Sequence, residues 1–121
     1  MPDSEFLNSL FHSIDSKDCT AFQQYLAPDC SFRLGNLPVV TGRESIGAAV
    51  AVFFDSLQSI SHDIDGAWHT ADSSICHGSV CYTRHDGSQL TVPFANILKR
   101  EARLISEYLV FVDISGLQPA S

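Results

Sequence analysis

The sequence predicts an α+β domain in which helices pack on one face of a curved, mostly antiparallel sheet. Apolar residues recur at helical spacing in the first half, whereas β-branched and aromatic runs dominate the second half. A turn signal also joins two of those runs. Helices followed by an antiparallel meander are typical of this class, and the layout leaves a cavity between the helices and the concave sheet.

Two helices are predicted at the start of the chain. The first begins near an N-cap at Asp3 or Ser4 and carries one apolar stripe. The stripe consists of Phe6, Leu7, Leu10, Phe11 and Ile14. The second helix covers "SKDCTAFQQYLA", with Tyr25 and Leu26 on its apolar side. It should end before Pro28, because the residue preceding a proline avoids the helical region.

A short strand and a third helix are predicted next. The segment "DCSFRLGN" alternates, with Cys30, Phe32 and Leu34 on one face, which is typical of a strand. The third helix begins near Thr41 or Gly42 and has an apolar face. That face comprises Ile46, Val50, Phe53, Phe54, Leu57 and Ile60.

Four strands are predicted in the second half, in "SHDIDGAWHT", "SSICHGSVCYTRH", "QLTVPFANILKR" and "RLISEYLVFVDIS". Asp86-Gly87 favours a tight hairpin between the second and third of these. Tyr82, Arg84 and Asn96 fall on the faces expected to turn inward. Buried polar groups need partners, so these three side chains are candidates for binding a ligand.

The bulk properties limit the class of protein. A chain of 121 residues fits one domain, residues 1–121, that can bury a sizeable core. The formal net charge of -7 argues against a general nucleic-acid binder and against docking on anionic lipid. No apolar run is long enough to span a bilayer, and the first residues lack the pattern of a secretory signal.

The four cysteines Cys19, Cys30, Cys76 and Cys81 form no C-x-x-C pair. We therefore expect a cytoplasmic protein with reduced thiols that act mostly as small core residues. The sequence also lacks a phosphate loop and a nicotinamide or flavin fingerprint, and no histidines have metal-ligand spacing. We expect neither a cofactor nor a metal.

The segments "FRLGNLPVVTGRESI", "HDIDGAWH", "YTRHDG" and "EYLVFVD" resemble the nuclear transport factor 2-like superfamily, and within it the SnoaL-like group. The resemblance covers about residues 3–117. It implies a cone-shaped fold with a pocket open at one end. Members include polyketide cyclases, ketosteroid isomerases, dehydratases and epoxide hydrolases, and others only bind ligands or dimerise. Many relatives carry glycine where this chain has Glu101-Ala102.

The resemblance to SnoaL-like cyclases implies an acidic base on the last strand, and Asp113 matches that position. Strand alternation puts Tyr108 on one face and both Glu107 and Asp113 on the other, so Asp113 reaches the cavity only past a bulge or at the strand end. A base would be desolvated, which raises the pKa of the carboxyl. Alternatively, Asp113 is a solvated strand-end or turn-capping residue, and Glu107 faces solvent.

His62 is the second catalytic candidate. In the look-alike group a histidine at this position lies near the cavity, where a neutral imidazole can shuttle a proton or donate to a carbonyl. It can equally be a hydrogen-bonded core residue. His12, beside the apolar stripe of the first helix, is a candidate for reaching the pocket.

Further substrate-binding candidates are polar or aromatic. Arg84 could neutralise Asp113 or bind a substrate carboxylate, or could lie at the surface. Tyr108 and Asn96 could polarise a carbonyl oxygen. The remaining candidates are Tyr82, Trp68, Phe32 and Phe54. Trp68 and Phe32 are either pocket walls or plain core residues.

Two functions remain open from the sequence. One is a cofactor-independent isomerase, cyclase or dehydratase that acts on a small hydrophobic carbonyl compound. The other is a non-catalytic module that binds a small ligand or dimerises. The apolar residues Ile97, Ile105, Leu109 and Phe111 suggest a homodimer through the outer face of the sheet in either case.

Overall fold

The computed structural model describes residues 3–117 and has the predicted α+β architecture, with helices on one face of a single curved sheet. The outermost residues of the predicted domain, 1–2 and 118–121, lie outside the described part. The helices are α1 (Asp3–Asp15), α2 (Cys19–Gln23) and α3 (Arg43–Asp55), and Ser115–Leu117 forms a 3₁₀ turn. Within residues 3–117, no helix has the length and apolarity that a bilayer crossing requires.

The sheet has six strands in the order β2-β1-β6-β5-β4-β3. The strands are β1 (Leu26–Leu34), β2 (Val40–Thr41), β3 (Ser59–His69), β4 (Ser73–Thr83), β5 (Gln89–Glu101) and β6 (Leu104–Val112). Strands β3 to β6 form the predicted antiparallel meander, and β1 runs parallel to β6. The sheet is therefore mostly antiparallel, as the sequence predicts.

Both ends of α1 are fixed to the sheet. Arg100 of β5 donates to the Asp3 carboxylate at 3.0 Å, and its guanidinium lies 5.0 Å from the centre of the Phe6 ring. At the other end of α1, Asp15 accepts two hydrogen bonds from His62 of β3. The apolar stripe between these anchors is buried, and α1 thereby forms one wall of the core.

The second helix is shorter than the sequence predicts. It ends at Gln23, and Leu26 belongs to β1, where it pairs with Ile105 of β6. The Tyr25 carbonyl accepts from the Ile105 N–H at 2.8 Å, so pairing with a distant strand outweighs the helical pattern. Pro28 lies where the β1–β6 register shifts, a place in a strand that tolerates a missing N–H.

Two hairpins in the meander need a left-handed residue. Gly87 has φ 88° in the predicted turn between β4 and β5. Ala102 has φ 56° in the turn between β5 and β6. A side chain in that conformation costs about 1–2 kcal/mol, so the hairpin forms with some local strain.

The two faces of the sheet have different surroundings. Residues that alternate toward the helices are buried, including Tyr82, Phe94, Asn96 and Tyr108, as the strand pattern predicts. We call the opposite side the outer sheet face. Its apolar members are Trp68, Ile75, Ala95, Ile97, Leu109 and Phe111. Ile105, which was also predicted for this face, is instead fully buried in the core, because the β5–β6 register shifts between Lys99 and Arg100.

All four cysteines are unpaired, and two are fully buried. Burial raises the pKa of both the Cys30 and Cys76 thiols to about 11. A thiol reacts as its thiolate, so these two should resist a thiol reagent at neutral pH.

We predict that the folded protein reacts with Ellman's reagent at Cys19 and Cys81 only, because Cys30 and Cys76 are inaccessible and protonated. After denaturation without reductant, all four thiols should react. A count of two or fewer in denaturant would contradict this prediction.

Candidate functional site

A cavity of about 350 Å³ lies between the helices and the concave face of the sheet. It is lined by Phe11, Ile14, Phe22, Phe32, Leu34, Leu37, Pro38, Val40, Ala49, Val50, Phe53, Phe54, Ile60, His62, Tyr82, Asn96, Tyr108 and Val110. None of these lining residues is Asp, Glu, Lys or Arg. Apart from His62, Tyr82, Asn96 and Tyr108, the walls are apolar, which is typical of a site for a small organic ligand.

His62 is held by a carboxylate from α1. Its Nδ1 lies 2.6 Å from Asp15 Oδ1, and its backbone N–H donates to Asp15 Oδ2 at 3.0 Å. Because a carboxylate oxygen accepts, Nδ1 carries the proton and Nε2 is the acceptor in the neutral imidazole. Asp15 thus fixes both the position and the tautomer of His62.

Aromatic rings fix the plane of the His62 imidazole. Its centre lies 4.8 Å from that of the Phe11 ring and 5.1 Å from that of the Phe94 ring, the latter in an edge-to-face arrangement. The His62 side chain is 11% exposed. An oriented imidazole at the wall of a mostly apolar cavity can accept a proton at Nε2 and return it.

The other polar groups of the cavity are neutral. Burial raises the pKa of Tyr82 to about 12 and that of Tyr108 further still, so both phenols stay protonated and can donate to a ligand oxygen. Asn96 is buried, and its Oδ1 has no hydrogen-bond partner among the described residues. An unpaired buried acceptor is costly, and a ligand donor would satisfy it.

Six of the residues singled out from the sequence line this cavity. They are His62, Tyr82, Asn96, Tyr108, Phe32 and Phe54. Strand alternation explains the five residues on the sheet, since each lies on the helix-facing side of β1, β3, β4, β5 or β6. Among residues 3–117, no group of three or more His, Cys, Asp or Glu side chains could hold a metal ion.

Asp113 does not lie in the cavity, which corrects the expectation of a carboxylate base. It is exposed, follows the end of β6 and accepts from the Ser115 N–H at 3.0 Å. That hydrogen bond lowers the pKa of the Asp113 carboxyl, opposite to the rise that a desolvated base would show. The turn-capping alternative describes this residue, because the chain enters its 3₁₀ turn directly after it.

Arg84 and His12 also lie outside the cavity. Arg84 donates to the Gly116 carbonyl at 2.6 Å and to Ser88 Oγ at 3.1 Å, so it ties the β4–β5 hairpin to the last turn. His12 is exposed, with Nε2 3.5 Å from Ser16 Oγ.

Trp68 lies on the outer sheet face and is 57% exposed. The β3–β4 register shifts between Ile64 and Gly66, so that Trp68 pairs with Ile75 and its ring stacks on His77 at 5.6 Å. Uninterrupted alternation from His62 would have placed Trp68 on the cavity side. One extra residue at the bulge reverses the faces.

Asp15 is the site residue that sequence reasoning missed. Its position four residues after Phe11 is the signal that was present, because i and i+4 share a helix face. What the chain does not reveal is its partner, since 47 residues separate Asp15 from His62.

The helices, the curved sheet and the cavity between them define a domain of the cone-shaped α+β class. A profile of the SnoaL-like domain family matches residues 7–108, and the chain therefore belongs to the SnoaL-like family. This confirms the resemblance seen in the sequence. No curated protein matches the sequence significantly.

Solved structures share the fold at low sequence identity. A protein with a ketosteroid isomerase-like fold from Catenulispora acidiphila, in complex with trimethylamine, has a TM-score of 0.82 at 17% identity, covering 92% of this chain and 87% of that chain. TerC, co-crystallised with polyporic acid, has a TM-score of 0.80 at 14% identity, covering 97% of this chain and 95% of that chain. An LEH-like epoxide hydrolase of M. tuberculosis has a TM-score of 0.79 at 6% identity, covering 91% of this chain and 81% of that chain.

We predict that Asp15→Ala lowers the free energy of unfolding by about 1–3 kcal/mol, because it removes two hydrogen bonds and leaves the buried face of His62 unpaired. Urea unfolding followed by circular dichroism measures this change. The control Asp113→Ala removes only one hydrogen bond, at an exposed turn, and should lower the free energy of unfolding by clearly less. Equal effects of the two substitutions would contradict the anchoring role of Asp15.

Proposed function

We propose that this protein is a cofactor-independent acid–base enzyme of the isomerase, cyclase or dehydratase type, acting on an uncharged hydrophobic carbonyl compound. His62 is the general base, and Asp15 is the residue that positions it. The observation that carries the proposal is the double hydrogen bond from His62 to Asp15 beside an apolar cavity that offers no carboxylate of its own.

The proposed reaction begins with removal of a proton next to the carbonyl. His62 Nε2 takes the proton, and the electron pair of the C–H bond moves to the carbonyl oxygen, which becomes an enolate. The imidazolium that forms is stabilised by Asp15 at 2.6 Å. In a conjugated enolate, Nε2 returns the proton to a different carbon, which gives the isomer. In a β-hydroxy compound, the enolate re-forms the carbonyl and a C=C bond as the C–O bond breaks, and Nε2 gives its proton to the departing hydroxide, which leaves as water. Both routes restore the neutral imidazole.

The developing negative charge on oxygen needs donors. Tyr82 and Tyr108 are protonated phenols at the wall of the cavity, and the Asn96 amide is beside them in the lining. Donors that are already oriented in a dry site stabilise an oxyanion more than water does. The apolar walls exclude water that would otherwise protonate the enolate.

The structural relatives support a small organic ligand. Two of the solved structures with this fold hold such molecules, trimethylamine in one and polyporic acid in the other. The epoxide hydrolase shares the fold as well. These likenesses support the use of the cavity and leave the reaction to be inferred from the residues.

We predict that the protein opens 5-nitrobenzisoxazole, whose ring yields a coloured phenolate once a base removes one C–H proton. This probe requires only an oriented base in an apolar cavity. His62→Gln should lower the rate by about 100- to 10,000-fold, which is typical of losing a positioned base. Asp15→Asn should lower it less, because Nε2 remains but is misoriented.

The control for this experiment is Asp113→Asn, which should keep the full rate because that carboxylate is exposed. A lost ring-opening rate in the Asp113 variant, or a full rate in the His62 variant, would contradict the assignment of His62 as the base. Saturable binding of the probe without turnover would favour the alternative function, a non-catalytic ligand-binding module. The predominantly apolar lining is the observation that keeps this alternative open.

We also propose that two copies of the chain pair through the outer sheet face. The register aligns Trp68, Ile75, Ile97 and Leu109 in one row across four strands. Phe111, in the next row, is 54% exposed. The polar row of Lys99 and Glu107 borders this apolar patch, as a rim borders an interface.

We predict a dimer in sedimentation equilibrium at roughly tens of micromolar, where even a weak interface associates. Phe111→Glu should convert it to a monomer, because an unpaired charge at a buried interface is costly. As a control, Val52→Glu changes an exposed apolar residue that lies on α3 and not on the outer sheet face, and this variant should remain a dimer. A monomeric wild-type protein would refute the assembly.

A further inference from the structure

We propose that the ligand is an amphiphile that enters the cavity with its oxygenated end first and keeps a hydrocarbon end in the mouth. The inference rests on the proposed function in one respect, since it takes the cavity around His62 as the ligand site. It adds the orientation and chemical class of the ligand, which the acid–base mechanism does not specify.

The polar groups of the cavity wall are confined to its buried part. Asn96, Tyr108 and Tyr82 are at most 4% exposed, and they lie among equally buried apolar lining residues such as Phe22 and Ile60. Leu37 is 42% exposed, and Pro38 and Ala49 are exposed as well although they line the same cavity. The exposed part of the lining is therefore apolar, and every hydrogen-bonding group lies in the closed part.

The apolar surface continues outward from the mouth. Residues 34–42 and 45–54, the two segments that border it, contain no Asp, Glu, Lys or Arg. Val52 is 71% exposed and lies three residues after Ala49, on the same side of α3. Val39, between the lining residues Pro38 and Val40, is exposed too. A contiguous exposed apolar patch is typical of a surface that contacts something apolar.

The small size of the cavity gives the exposed apolar residues at its mouth, which we call the rim, a role in covering the ligand. A volume of about 350 Å³ is near the lower end of the about 300–1,000 Å³ range of ligand sites. A ligand with more than a ring or two therefore extends through the mouth, where Leu37 and Val52 cover its hydrocarbon end.

The closed end specifies the head of the ligand. An ionised head would lie unpaired, since no lining residue carries an opposite side-chain charge that is permanent at neutral pH. His62 Nε2 and Asn96 Oδ1 are acceptors, whereas the phenols of Tyr82 and Tyr108 are donors. The matching head is uncharged and bears at least one hydroxyl, as in a phenol, an enol or a hydroxyketone.

The experiment uses 4-n-alkylphenols from 4-methylphenol to 4-octylphenol as probes, with dissociation constants measured by titration calorimetry on the full chain. Each added methylene should tighten binding by about threefold to fourfold, the effect of burying one CH₂ group. The gain should continue into the longer members, because the rim covers what the cavity cannot hold. A gain that stops after the first members would overturn the inference.

Variants separate the two ends of the ligand. Leu37→Ser with Val52→Ser should remove the gain per methylene in the longer probes and leave 4-methylphenol unchanged. His62→Gln should weaken all members by one common factor. Ile64→Ser, an exposed apolar residue outside the lining, is the control and should match the wild type. An unaltered gain in the rim variant would also overturn the inference.

The outcome is independent of the test of catalysis. If the alkylphenols bind with the predicted dependence on length but 5-nitrobenzisoxazole is not opened, the proposed reaction fails and the ligand orientation stands. If 5-nitrobenzisoxazole is opened but the affinity for the alkylphenols does not depend on chain length, the proposed ligand orientation is wrong and the proposed reaction stands. If no member of the series binds, the inference is overturned.

Discussion

The paired hydrogen bonds between Asp15 and His62 connect α1 to the sheet beside the cavity. The arrangement of the candidate site depends on this connection. The two hydrogen bonds join the last residue of α1 to the strand that forms one edge of the sheet, across 47 residues of chain. At the other end of α1, the Asp3–Arg100 ion pair makes a similar connection to β5. With both ends fixed, α1 lies over the sheet at a set distance, and the cavity between them keeps its shape. Removing the Asp15 contact would free the imidazole and loosen the helix together.

The curved sheet separates two environments by strand alternation. Its concave side carries buried aromatic and polar groups that converge on the cavity, and its outer face carries the row from Trp68 to Leu109. Each strand therefore supplies residues to both surfaces, and neighbouring positions serve different purposes. Tyr108 lies in the cavity wall, while Leu109 lies on the outside. Apolar residues on both surfaces explain why β6 is almost continuously apolar, a pattern more usual for a sheet covered on both faces.

Much of the fold and part of the site were predictable from the sequence. Helical spacing predicted α1 and α3, although α3 ends at Asp55 and Ile60, predicted on its apolar face, belongs to β3. Alternation along β4, β5 and β6 correctly placed Tyr82, Asn96 and Tyr108. Local rules failed where distant pairing decides the outcome. Leu26 reads as helical but pairs with Ile105 in a parallel strand, and Asp15 finds its partner on β3. Asp113 was misplaced for a different reason, because family analogy supplied a role that its exposed turn does not support.

The bulge in β3 between Ile64 and Gly66 has a consequence for how such a protein can diverge. It is tolerated because the opposing residue is Gly78, where any Cβ would overlap the carbonyl oxygen of Asp63. Upstream of the bulge, even-numbered residues such as His62 face the helices. Downstream of it, even-numbered residues such as Trp68 lie on the outer sheet face. Gain or loss of a single codon here would exchange the helix-facing and outward-facing residues in the part of β3 that follows the bulge. The stretch around His62 would keep its register. The two surfaces of this strand can therefore evolve in one step of insertion or deletion rather than through many substitutions.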